Sequence, residues 1–217
     1  MRLKFWLFCL HIQKTLLKRM EHMKHKIIFA SWLLLSSMHF ASAGKVQSPA
    51  ITDVCIIQPS QLESLLALPT AAFDQDLAGG WRVYQQKGCF LQAAMLIDAY
   101  VADKPTGMTE GDRRNLSFHA GQLYAMAGLK EIASHRILES LNLHESSNGD
   151  LAWNIYVLAT TAFMQGDKQE LIHQRARLAE AKPTLGNKIN LAVVDGLVSC
   201  FDKPYSDAYP KCRPTVK

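Results

Sequence analysis

The chain contains no Cys-x-x-Cys pair, no His-Glu-x-x-His, no Gly-x-Ser-x-Gly and no glycine-rich phosphate loop. These absences remove the common zinc, serine-hydrolase and nucleotide signatures from consideration. No Cys-x-x-Cys-His appears either, so covalent haem attachment has no anchor. Strand-like alternation of apolar and polar residues is nearly missing, which argues against a sheet. The net charge of +5 has little of its basic excess beyond the first 43 residues. That segment holds seven of the 24 Lys/Arg and one of the 19 acids, leaving 17 bases against 18 acids from Gly44 onward. A phosphate-binding surface needs clustered Lys/Arg, and only short pairs such as Arg113-Arg114 remain. No nucleic-acid partner is expected.

What is present begins with a leader. Lys24-His25-Lys26 is a positive stretch, Ile27 to Leu35 is apolar, and Ala41-Ser42-Ala43 is a small-residue cleavage pattern. The apolar run is short of the roughly 18–20 residues that a spanning helix needs, so a cleaved signal peptide is expected over a retained anchor. Residues 1–22 make an unusually long preamble, and translation is expected to start at Met23 or Met20. No Cys follows Ala43 to carry a lipid. The membrane is therefore met only in transit, and the protein is expected to be periplasmic or secreted.

An exported chain meets an oxidising compartment. Beyond the leader's Cys9 there are four cysteines, Cys55, Cys89, Cys200 and Cys212. Four cysteines allow three pairings. Cys200 and Cys212 flank a short segment with Pro204 and Pro210, which costs little entropy to close. Cys200–Cys212 and Cys55–Cys89 are the expected disulfides, with free buried thiols and a metal site as the competing readings.

Three segments follow: the leader 1–43, an N-terminal segment 44–72 with one short helix, and a helical domain 73–217. Ser60-x-x-Glu63 has capping-box spacing, and that helix should stop before Pro69. Gly88, Gly128 and Gly166 each separate two helical patterns, 40 and 38 residues apart. First helices are expected near 74–87, 113–127 and 151–165, with Asp74, Asp112 and Asp150 as N-caps. Gly79-Gly80 then falls inside the first of them, at about 1 kcal/mol per glycine relative to alanine. Second helices should begin two residues after each glycine. Their buried stripes are Phe90, Ala93, Ala94, Ile97, Tyr100 and Val101, then Ala133, Ile137 and Leu141, then Lys168, Leu171, Ile172, Arg175, Leu178 and Ala179. Residues 188–200 form a capping helix, and the disulfide loop 200–212 pins it.

Gly121-x-x-Tyr124-x-x-x-Gly128-x-x-x-x-Ala133 resembles the tetratricopeptide repeat. Tyr84, Gly88, Ala93 and Pro105 in the first pair, and Ala159, Gly166 and Pro183 in the third, extend the likeness over residues 74–183. The fold it implies is all-α: helix-turn-helix units stacked as a short solenoid. A generic helical bundle is the alternative. In that family the first helix of each unit lines a concave surface that holds extended peptides. The resemblance thus implies a groove carrying Arg82, Gln86, Asn115, Gln122, Tyr156 and Thr160.

Catalytic candidates are sparse. His119, His135, His144 and His173 lack a histidine at i+4, and His144-Glu145 reads as a solvated turn. Asp74, Asp76, Asp112 and Glu131 would be the acids for glycosidase chemistry, but capping and solvation account for them. Trp81, Trp153 and Tyr156 read as core. The expected function is non-catalytic binding of a protein or peptide partner in the cell envelope, with no cofactor and no metal. The alternatives are a small exported hydrolase of cell-wall polymer, which requires a cleft with two carboxylates or a His–acid pair, and a structural component of an envelope complex.

Overall fold

The structure, a computed structural model, describes residues 53–104, 107–146 and 149–216. The expected leader, its start at Met23 and its cleavage after Ala43 lie outside the described residues, as does Pro105. Among the described residues there is no strand. A 3-10 turn, Asp53–Cys55, precedes α1 (Pro59–Leu66), α2 (Thr70–Asp74), α3 (Arg82–Gln86), α4 (Phe90–Asp103) and α5 (Glu110–Met126). Then come α6 (Lys130–Leu138), α7 (Trp153–Gln165), α8 (Lys168–Glu180), α9 (Leu185–Ser199) and α10 (Tyr205–Lys211). The chain is all-α over this range, and no described helix is long and apolar enough to cross a membrane.

The three turn glycines do what their backbone freedom allows. Gly88, Gly128 and Gly166 have φ of 75°, 84° and 74°, a left-handed conformation that ends one helix. In each case the next helix starts two residues later, at Phe90, Lys130 and Lys168. Each helix from α4 to α9 packs on its neighbour in sequence, α9 also returns to α7, and α1 and α3 lie on α4. Ala93, Ala94, Ile97 and Tyr100 are buried on α4, as are Ala133 and Ile137 on α6. Fully burying a side chain of isoleucine size contributes about 1.5–3 kcal/mol. At Gly121 the helices α5 and α6 touch: an added Cβ would lie 2.5 Å from Ile137 Cγ1 and 3.0 Å from the Ala133 carbonyl oxygen. On α8 the buried stripe is narrower than the pattern suggests, formed by Leu171, Gln174 and Leu178. Lys168, Ile172 and Ala179 are exposed, and Arg175 turns to Asp195 of α9 at 2.7 Å.

Several helix starts differ from expectation. At α1, Pro59 takes the first helical position, so Gln58 is the N-cap and Gln61 accepts its N–H at 3.1 Å; Ser60 and Glu63 are not the box. The helix expected over 74–87 forms only at Arg82–Gln86, and α2 ends where it was to begin. Gly79 and Gly80 form the bend between the two, and a Cβ on Gly80 (φ 51°) would fall 1.9 Å from the Phe73 carbonyl oxygen. Asp74 therefore ends a helix instead of capping one. Asp112 is the third residue of α5 and completes a capping box with the N-cap Thr109, whose hydroxyl accepts its N–H at 3.0 Å. Asp150 caps nothing: its carbonyl accepts from Thr184 and Asn187, and its carboxylate pairs with Lys182. The N-terminus of α7 is met by the Glu145 carboxylate, both oxygens 3.1 Å from the Asn154 nitrogen.

Both disulfides form as expected. Cys55–Cys89 ties the 3-10 turn to the start of α4, and Cys200–Cys212 closes the C-terminal segment. That segment is a helix where a loop was expected: α10 packs on α9 and reaches back to α5.

Candidate functional site

The site grows from the end of α2. Phe73 stacks on Tyr100 of α4, ring centroids 3.7 Å apart, and the Tyr100 hydroxyl donates to the Leu68 carbonyl at 2.7 Å. This pins α2 and turns Asp74 inward, where only 3% of it is exposed. Beyond the glycine bend, the Trp81 indole N–H donates to Asp74 Oδ1 at 2.9 Å. His119 of α5 meets the same oxygen through Nδ1 at 2.7 Å. A carboxylate only accepts, so Nδ1 carries the proton and Nε2 is left for other partners. Gln75 donates to the second carboxylate oxygen. Burial alone would raise the Asp74 carboxyl. The His119 hydrogen bond and charge, the Trp81 N–H and the Arg82 guanidinium outweigh it and hold the group below the ordinary carboxylate range.

Arg82 opens α3. Its Nε donates to the Asp74 carbonyl at 2.7 Å, and its guanidinium lies over the Trp81 ring, 4.3 Å from the centroid. Together these groups form one wall of a cavity of about 250 Å³. Trp81, Arg82, Gln85, His119 and Gln122 line it, with Leu123 and Met126 of α5 as apolar surface and Tyr209 of α10 opposite.

Helix α10 covers this side of α5 and α7. Tyr205 is 1% exposed; its hydroxyl accepts from Gln122 Nε2 at 3.0 Å, its ring meets the edge of Phe163 and stacks on Tyr209. Burial first, then the neighbouring phenols, push the Tyr205 and Tyr156 hydroxyls far above the usual tyrosine range; for Tyr156 the charge of Arg213 opposes this in part. Gly196 of α9 lets the end of the segment approach, since a Cβ there would sit 2.9 Å from the Arg213 backbone.

Of the six residues expected in one groove, the structure brings Arg82 and Gln122 together in this cavity. Gln86 is exposed and donates to the Leu77 carbonyl at 2.6 Å. Asn115 is exposed and borders a separate cleft beside Trp153 and Glu145. Tyr156 and Thr160 are buried: Thr160 donates to the Tyr156 carbonyl at 2.9 Å, and Tyr156 packs among Phe118 and Trp153. Neither offers a polar atom to a peptide in this conformation. Trp81 is core, and both it and Trp153 satisfy their indole N–H groups, on Asp74 and on the Ser140 carbonyl.

Asp74, His119, Gln85 and Tyr209 were not expected at the site. Asp74 reads as a cap and His119 as a histidine without a partner because 45 residues separate them. One signal was available: His119 lies four residues after Asn115 and three before Gln122, on the same face of α5. The pair has no third His, Cys, Asp or Glu at metal-binding distance among the described residues.

A larger cleft of about 710 Å³ lies between the α6–α7 connection and the end of α8. Within it Glu145 caps α7, Lys182 pairs with Asp150 and Arg177 donates to the Gln174 amide oxygen, while Glu180 is exposed. The cavity at Arg82 is the better candidate because it gathers Arg82, His119 and Gln122 from α3 and α5 around one space. The chain matches no protein-family model, no curated protein and no solved structure.

Proposed function

We propose that this chain is an exported, tetratricopeptide-like helical protein that binds a protein or peptide partner in the cell envelope and catalyses no reaction. The observation that carries this reading is α10. The chain's own C-terminal helix lies against α5 and α9, with Tyr205 buried between Gln122 and Phe163, and a polar cavity is left open at its side. A face that accommodates one helix has the apolar seat and polar fringe that helix-in-groove recognition uses. The two disulfides suit an oxidising compartment outside the cytoplasm.

A photoreactive residue at position 85, carried by the exported protein, tests the proposal. It should give an adduct with one envelope protein that Arg82→Gln weakens, while the same group at the exposed Leu143 gives none. Equal labelling from both positions, or none from position 85, would sink the reading. A small exported hydrolase of cell-wall polymer is the second reading, favoured by one observation: the Asp74-held His119 in a cavity. Release of soluble wall fragments that disappears with His119→Ala would establish it instead.

A further inference from the structure

We infer that the cavity between α3, α5 and α10 is a carboxylate site. It takes a singly charged organic acid, either free or as the C-terminal end of a peptide. The inference rests on the binding reading above and gives that reading its chemistry.

Arg82 supplies the first argument. Its Nε is engaged by the Asp74 carbonyl and its plane by the Trp81 face, which fixes the orientation of the fork. The two terminal nitrogens have no hydrogen bond among the described residues, and the side chain borders the cavity. A planar guanidinium held this way matches a carboxylate through two parallel N–H···O bonds.

The second argument is charge. No carboxylate lines the cavity. Asp74 sits behind the lining, and its side-chain oxygens are taken by Trp81, His119 and Gln75. His119 also lines the space, and any charge it carries is answered by Asp74 at 2.7 Å, so Arg82 is the cation presented to this partly apolar space, where an ion pair is stronger than in water. A single negative charge answers it; a phosphate dianion would bring one charge too many.

Size is the third. About 250 Å³ is below the usual range for a whole drug-sized ligand, and it fits a small acid or one chain end. Gln85 and Tyr209 line the same space, and neither side chain makes a hydrogen bond among the described residues.

The test uses the full, oxidised protein and follows the Trp81 indole N–H resonance. N-acetylglycine should shift it and saturate at about millimolar concentration. N-acetylglycinamide should not, and inorganic phosphate should bind more weakly than the acid. Blocked pentapeptides with a free or amidated C terminus separate the two sources. A gain in affinity with length for the free-ended peptide identifies a chain end, and no gain identifies a small acid. Gln85→Glu places a carboxylate beside Arg82 and should weaken N-acetylglycine at least about tenfold more than Gln85→Ala, which removes only a neutral amide. The Gln85 side chain makes no hydrogen bond among the described residues, and its backbone bonds survive substitution, so both variants should keep the Trp81 signal in place. Equal binding of acid and amide, tighter binding of phosphate, or equal affinity in Gln85→Glu and Gln85→Ala would overturn the assignment. An envelope adduct at position 85 without this carboxylate preference would overturn it alone and leave the binding proposal standing.

Discussion

Two acid-centred clusters flank α5, and they are built from the same kinds of parts. On one face His119 and Trp81 meet Asp74, with Arg82 above. On another, five residues further along α5, the Tyr124 hydroxyl donates to Asp98 of α4 at 2.6 Å. Arg136 of α6 reaches that aspartate at 3.0 Å. Each pairs a carboxylate with an aromatic donor and a basic group, yet their surroundings differ. The Asp98 side chain is 26% exposed and the Asp74 side chain 4%. Arg136 is also matched by Glu139 at 2.8 Å, whereas Arg82 keeps two nitrogens for a cavity. Residue types alone do not separate a brace from a site. Local charge balance and access do.

The largest expected effect comes from removing the buried acid. Asp74→Ala leaves the Trp81 indole N–H and His119 Nδ1 without their acceptor inside the fold. Breaking a buried pair by deleting one partner costs about 3–5 kcal/mol. Asp98→Ala should cost about 1 kcal/mol, because water reaches that pair. Urea unfolding of both variants checks the contrast; similar midpoints would erase the distinction between the clusters.

Acid sharpens the same contrast. Asp74 is held below its ordinary range, so in moderate acid the unfolded chain binds the proton that the native chain refuses. Its contribution is complete above about pH 4, the ordinary aspartate value, and is lost as pH falls through the lower native value. Asp150 and Glu170 are also lowered, by Lys182 and by Gln174 with His173 respectively, and add a background slope from the surface. Midpoints measured from pH 5 down to about pH 2.5 should fall more steeply in the wild type than in Asp74→Asn. Parallel curves would mean that Asp74 is not held ionised by its neighbours.

What the sequence made legible follows from which interactions are local. The starts of α4, α6 and α8 could be read because a left-handed glycine ends a helix wherever it stands. Cys200–Cys212 could be read because it closes a short segment. The caps were harder, since an aspartate takes the partner that packing brings: Asp150 serves Lys182, and Glu145 caps α7 from nine residues upstream. Helix α10 was hidden by its prolines. Pro204 serves as its N-cap with φ −61°, and Pro210 lies in the last turn, so both fit a helix where a loop was expected. Arg82 and Gln122 came from the groove that the resemblance implied; Asp74 did not, because it reads as a helix cap, and Tyr209 did not, because it enters from α10, far along the chain.

The smallest expected effect tests the brace itself. Tyr124→Phe removes the hydroxyl that donates to Asp98 and leaves the ring packed between α4, α5 and α6. Asp98 keeps Arg136, and partial exposure lets water replace the lost donor, so no buried group is stranded. The loss should be about 1 kcal/mol or less. It should also be smaller in an Asp98→Asn background, since a neutral acceptor gains less from the phenol than a carboxylate does. A double-mutant cycle in urea measures this coupling. A coupling of about 3 kcal/mol would give Asp98 the energetic weight assigned to Asp74, and burial would then no longer explain why one cluster frames a cavity and the other only fastens helices.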